Sequence, residues 1–274
     1  MPGRLNIHWS GRPESDAPTL VLLHGITNSG ACWPDAVSRW AGTYRIAAID
    51  ALGHGSSDRF RDDELSGEGL DAASGAVDAL VATTVEALET ITAVAGTVVL
   101  YGHSMGGATA AVVAATRADL VRGVLLEDPA WQEPSTEKWA RRGAAWVASA
   151  RADREDPAAA IAHELADPEN LWSAAEIEPW VLAHTQFDDR FVGIGRAEMT
   201  RPWPEVVASL DVPALIVTGS DDVIVDAAMR HQLAAIANPH VRVEVVDGAG
   251  HSVRRDRTPA FHAVVDPWIA ARFR

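Results

Sequence analysis

Seven residues, Tyr101-Gly102-His103-Ser104-Met105-Gly106-Gly107, constrain this chain more than any other stretch. They follow the apolar run Thr97-Val98-Val99-Leu100 and precede a small-residue helical stretch from Ala108 to Thr116. A strand that passes into a helix through Gly102-x-Ser104-x-Gly106 must turn sharply. The serine then takes a strained backbone conformation, and the flanking positions must lack bulk. A glycine-rich turn can contain a serine by chance. The β-branched strand before it and the alanine-rich helix after it point instead to a nucleophile presented at the end of a sheet strand.

Such a turn needs a sheet, and the runs for one are present. Thr19-Leu20-Val21-Leu22-Leu23 is continuously apolar, as in a strand buried on both faces. Tyr44 to Ile49, Val121 to Leu126, Ala214 to Thr218 and Val241 to Val246 read as further strands, and Arg4 to Trp9 as a short edge strand. Helical stretches separate them: Trp33 to Trp40, Leu70 to Val94, Ala227 to Ala237 and Pro259 to Arg272. This alternation implies a parallel sheet covered by helices on both faces, an α/β fold. It breaks after Pro129. Residues 130–204 hold no clear strand, and Pro157, Pro168 and Pro179 are expected to divide them into short helices. The chain therefore reads as a first core segment (1–129), a helical cap (130–204) and a second core segment (205–274).

The 274 residues suffice for one large core with such an insertion. A net charge of −15 disfavours nucleic acid and anionic membranes as partners. The single cysteine, Cys32, excludes an intrachain disulfide and fits a reducing compartment. Met1 to Trp9 has no apolar core of a signal peptide, and no run reaches membrane-spanning length, so a cytoplasmic location is expected. Six of the ten tryptophans fall in the middle segment: Trp131, Trp139, Trp146, Trp172, Trp180 and Trp203. Tryptophan offers a large apolar face and one N–H donor, which suits a pocket for a bulky ligand as well as the core of a small subdomain. Trp131, Trp139, Trp180 and Trp203 are the candidates for substrate contact.

Ligands of an open parallel sheet bind beyond the carboxyl ends of its strands. His24, Asp50, Ser104, Glu127, Asp128, Asp221, Asp222 and His251 all fall at that edge. A serine hydroxyl needs a base to take its proton, and the base needs a third group to orient it. His251, in Gly250-His251-Ser252 after the last strand, is the expected base. Asp222, after the next-to-last strand, is the favoured acid, with Asp128 and Glu127 as alternatives that keep the same chain order. Two N–H donors must meet the oxyanion, and Met105 and Ile26 supply the candidates. His24, His54 and His103 read as structural hydrogen-bonding residues. Metal and dinucleotide readings are weak: there is no His-Glu-x-x-His, and no G-x-G-x-x-G follows the first buried strand.

Four motifs stand in one order: His24-Gly25, Asp50-x-x-Gly53-His54-Gly55-x-Ser57, the turn at Ser104, and Gly250-His251. With these the chain resembles a capped α/β-hydrolase of the small bacterial esterase, lactonase and carbon–carbon-bond hydrolase type. The resemblance covers nearly everything outside the cap. It implies an eight-stranded, mostly parallel sheet, a cap inserted after the sixth strand and no cofactor. A serine at Ser104 does not match haloalkane dehalogenases or soluble epoxide hydrolases, which need a carboxylate there. Leu126-Glu127-Asp128-Pro129-Ala130-Trp131 is also similar to the corresponding stretch of zearalenone lactonases, in which the acid follows that strand. The expected activity is cleavage of a neutral or weakly polar ester or lactone with a bulky hydrophobic part, by a monomer or homodimer. A carbon–carbon-bond hydrolase, a perhydrolase, a slow-turnover receptor and a non-catalytic binding module are the alternatives.

Overall fold

The computed structural model describes residues 3–66, 70–131, 136–168, 170–195 and 201–274. Seven strands form one sheet in the order β1-β3-β2-β4-β5-β6-β7. They are β1 (Ile7–Gly11), β2 (Thr19–Leu23), β3 (Arg45–Ile49), β4 (Val98–His103), β5 (Val121–Glu127), β6 (Ala214–Gly219) and β7 (Val241–Val246). Only β1 runs antiparallel, against β3, while the other pairs are parallel. Each apolar run of the sequence is one strand, with β1 shifted a few residues along from the expected Arg4–Trp9. The expected count of eight is corrected to seven among the described residues, because the chain turns from the single edge strand β1 straight into the interior strand β2. The helical insertion therefore follows the fifth strand, not the sixth.

Alternation along the strands splits the core in two. Val21, Leu23, Leu100, Leu126 and Ile216 face one side. There they pack on α2 (Leu70–Ala95), α3 (Met105–Thr116), α8 (Trp203–Ala208) and α9 (Ala227–Ile236) through residues such as Leu88, Ala111, Val207 and Leu233. Leu20, Leu22, Val99, Tyr101, Leu125 and Val217 face the other side, against Trp33, Trp40 and Phe261 of the segment containing α1 (Pro34–Trp40) and α11 (Thr258–Arg272). Burial on both faces explains why these strands carry no polar alternation.

Between β5 and β6 lie α4 (Thr136–Glu155), α5 (Pro157–Ala166), α6 (Ala174–His184) and α7 (Asp189–Val192). Asp156 caps α5 by accepting the Ala159 N–H, with Pro157 in the first turn, where its missing N–H costs nothing. Pro168 lies just beyond the same helix. Pro179, expected to break the chain, instead sits inside α6. Arg154 of α4 ties the group together, donating to both oxygens of Asp189 and to the carbonyls of His184, Thr185 and Phe187. A third apolar cluster joins Val147, Phe187 and Phe191 of the insertion to Leu52, Phe60 and Met105 of the core. Among the described residues no helix is long and apolar enough to cross a membrane.

Candidate active site

Ser104 follows the last residue of β4 and has φ 53° and ψ −116°, the strained turn that the glycines predict. A side chain at Gly102 would place its Cβ 2.1 Å from the Gly106 carbonyl oxygen, and one at Gly106 would fall 2.2 Å from that of Leu23. Both positions must be glycine for the strand and helix to meet. The pairing of His103 with Glu127 brings Ser104 and Asp128 off the ends of adjacent strands.

His251 Nε2 lies 3.0 Å from Ser104 Oγ, and its Nδ1 lies 2.5 Å from Asp128 Oδ2. A carboxylate only accepts, so Nδ1 carries the proton and Nε2 is left to accept from the serine hydroxyl. Asp128 is fully buried and saturated with donors. Besides His251 it accepts from Thr218 Oγ1 (2.8 Å), Val225 N–H (2.9 Å) and Ile224 N–H (2.9 Å). The favoured acid was Asp222, and here the structure differs. Asp222 is exposed, with φ 47°, on the loop after β6. That loop turns its main-chain N–H groups of Ile224 and Val225 inward to Asp128 and its carboxylate outward.

Glu127, the other alternative, points to the opposite side of the sheet from Ser104's partners. It accepts from the Tyr101 hydroxyl and, at 2.8 Å, from the Arg254 N–H. Burial pushes its carboxyl up, against the opposing pull of Arg254. It fastens the chain just after His251 to the sheet.

Ile26 and Met105 line the same cavity as Ser104 and His251, and the main-chain N–H of neither is used in a hydrogen bond among the described residues. Three histidines hold the surrounding loops. His24 donates through Nδ1 to the Gly25 carbonyl (2.8 Å) and accepts at Nε2 from Ala51 N–H (3.0 Å). Burial and the neighbouring His54 bring its pKa down to about 3, so it stays neutral. His54 lies between the carbonyls of Leu52 (2.9 Å from Nδ1) and Ile26 (2.6 Å from Nε2); burial lowers its pKa, so the neutral ring donates to one of the two and packs the peptide next to the candidate donor. His103 lies 3.1 Å from the His251 carbonyl, and burial keeps its pKa well below the usual range. Asp50, whose burial is outweighed by bonds from His8, Ser56 N–H and Asn6 that hold it low, joins the loop after β2 at Gly30 to the loop after β3 at Ser56.

The cavity above Ser104 has a volume of about 180 Å³. Of the four tryptophans singled out for substrate contact, it is lined by Trp139 and Trp180. Trp131 and Trp203 are not on it: their rings stack 5.5 Å apart at 15° beside α3 and α8, and they line a neighbouring cavity that also reaches His251. Trp146 and Trp172 line it instead, with Asn28, Arg142 and Arg255. Residues 139, 142 and 146 form an i, i+3, i+7 stripe on α4, a signal the sequence carries. Arg255 was equally near at hand, four residues beyond His251.

Beneath the cavity, the insertion is clamped to the core. Glu176 of α6 accepts from Arg254 (2.6 and 3.0 Å), from Arg255 Nε (2.8 Å) and from Asp35 N–H (3.0 Å). Arg254 and Arg255 lie on α10 (Val253–Asp256), directly after His251. Burial alone would raise the Glu176 carboxyl, but the two guanidiniums hold it at about 2. Among the described residues no group of three His, Cys, Asp or Glu side chains is arranged to hold a metal ion.

Known proteins share this arrangement of elements. The model of the alpha/beta hydrolase family matches residues 20–264. The (E)-2-((N-methylformamido)methylene)succinate hydrolase of Acinetobacter baylyi is 23% identical over 265 residues, spanning 93% of this chain and 92% of its own. Among solved structures, an E-2-(acetamidomethylene)succinate hydrolase superposes with a TM-score of 0.74 at 23% identity, over 97% of this chain and 95% of that one. The enol-lactonase of Burkholderia xenovorans gives 0.72 at 21% identity, over 97% and 96%.

Proposed function

We propose that this chain, which belongs to the alpha/beta hydrolase family, cleaves an ester or lactone of a small molecule through an acyl-enzyme on Ser104. The observation that carries the reading is the unbroken relay Ser104–His251–Asp128 opening onto a cavity with two unengaged N–H donors. Ser104 Oγ attacks the carbonyl carbon as His251 Nε2 takes its proton. Asp128 keeps the imidazole in the required tautomer and stabilises the imidazolium. The Ile26 and Met105 N–H groups receive the developing oxyanion, a contribution worth about a hundred- to a thousandfold per donor in comparable sites. His251 then returns the proton to the leaving oxygen, and a water activated by the same histidine releases the acid.

Residues 130–204 act in this reading as a cap whose tryptophans roof the cavity and select the substrate. The enol-lactonase similarity supports a lactone among the substrates. The experiment is labelling with a fluorophosphonate together with release of acid from a panel of esters and lactones. Stoichiometric labelling that disappears in Ser104→Ala, with turnover, is expected. Full turnover by Ser104→Ala would sink the scheme.

A further inference from the structure

We infer that the Ser104 cavity selects esters bearing a free carboxylate, held by the guanidinium of Arg142 and the open edge of Arg255. This rests on the proposed serine chemistry and adds the substrate class. Arg142 and Arg255 both line the cavity, and among the described residues no Asp or Glu does. In a chain of net charge −15 that is a local reversal of sign, which concentrates an anion where the surface would repel one.

Arg255 is built as a fixed donor. It is buried, its Nε donates to Glu176 (2.8 Å) and its Nη2 to the Cys32 carbonyl (3.1 Å), and its guanidinium stacks 4.6 Å from the Trp172 ring. Nη1 has no hydrogen-bond partner among the described residues. A guanidinium anchored along one edge offers the other in a set direction, with little entropy left to lose on binding.

Arg142 has no hydrogen-bonded or ion-paired acceptor among the described residues. It lies over two rings, 4.8 Å from Trp146 and 5.4 Å from Trp139. Stacking satisfies the faces of a guanidinium and leaves its N–H edge unused. Partial burial lowers its pKa, opposed by Asp222, the carboxylate whose field reaches it from the neighbouring cavity. A ligand carboxylate would supply the charge-assisted bonds that neither ring can. The hydrophobic, neutral substrate expected from the tryptophans alone overlooks these two cations.

The test compares esters matched in length. With the carboxylate on the acyl arm the pair is monomethyl adipate against methyl hexanoate. On the alcohol arm it is 3-carboxypropyl butanoate against butyl butanoate. Acid release should favour the anionic ester in kcat/KM by about tenfold or more in at least one pair, and that ratio should collapse toward unity in Arg142→Met. Neutral esters preferred in both pairs, or an unchanged ratio in Arg142→Met, overturns the inference while leaving the serine scheme intact. Calorimetric binding of adipate to the native chain, weakened by salt and compared with the uncharged diol of the same length, reads the anion site without turnover or a variant. Equal binding of diol and diacid also overturns it. Loss of fluorophosphonate labelling at Ser104 would refute the serine scheme alone.

Discussion

Glu176 of the inserted helices accepts from Arg254, three residues beyond His251, at 2.6 Å. One buried carboxylate thus joins the roof of the cavity to the segment that carries the candidate base, and its ionisation holds both in place. Glu176 titrates at about 2 in the folded chain against an ordinary 4.5. A depressed folded pKa contributes stability that is whole above the unfolded value and is lost as pH falls toward the folded one. Glu176→Gln should therefore unfold at lower denaturant concentration than the native chain at pH 7, by about 3 kcal/mol for a broken buried pair. That difference should shrink between about pH 4.5 and pH 2. Urea titrations of both proteins across this range check it, and a constant gap would be contrary to expectation.

Replacing Asp128 by asparagine should lower kcat by about ten-thousandfold, as an amide at this position favours the wrong imidazole tautomer. Asp222→Asn should stay within about threefold of the native rate, as expected of a surface substitution. Steady-state kinetics of the two variants distinguish the acids. A large loss in Asp222→Asn alone would assign the role to the loop after β6.

His54→Phe removes the ring N–H that lies between the Leu52 and Ile26 carbonyls while keeping an aromatic ring. A displaced Ile26 N–H should cost ten- to a hundredfold in kcat with KM little changed, since the oxyanion forms only after binding. A change in KM alone would place His54 in ligand binding.

Gly106→Ala puts a methyl group 2.2 Å from a main-chain oxygen that belongs to β2 and has no room to withdraw. The expected loss is about 3 kcal/mol, read from chemical denaturation. Unaltered stability would mean that the elbow is looser than its geometry.

Much of this was legible in the residues themselves. Five apolar runs mark the interior strands β2 to β6, because burial on both faces removes the polar alternation, while the half-exposed edge strands β1 and β7 keep it. Ser104 and His251 were legible because glycines must surround them. The acid was harder. Glu127 could have been set aside by the period of two: it shares a sheet face with Leu125 and Tyr101 and so points away from Ser104. Choosing Asp128 over Asp222 required the path of a loop, and each carries a positive φ that sequence pattern does not convey. The cavity tryptophans were mixed with core ones because composition cannot tell an indole facing a ligand from one stacked on its neighbour. Trp131 and Trp203 stack on each other and border the neighbouring cavity rather than the one above Ser104.

The position of Asp128 has a consequence for how this scaffold could change. Ser104 and Asp128 leave neighbouring, directly paired strands, so their spacing is set by one hydrogen-bonded ladder. The loop after β6 lends Asp128 only main-chain N–H groups, which any amino acid except proline provides. Its exposed side chains, Asp221 and Asp222, can therefore be rewritten beside the neighbouring cavity without touching those bonds, whereas Val225 is core and Ile224 lines the Ser104 cavity. A designer seeking new selectivity could randomise those two positions for shape alone.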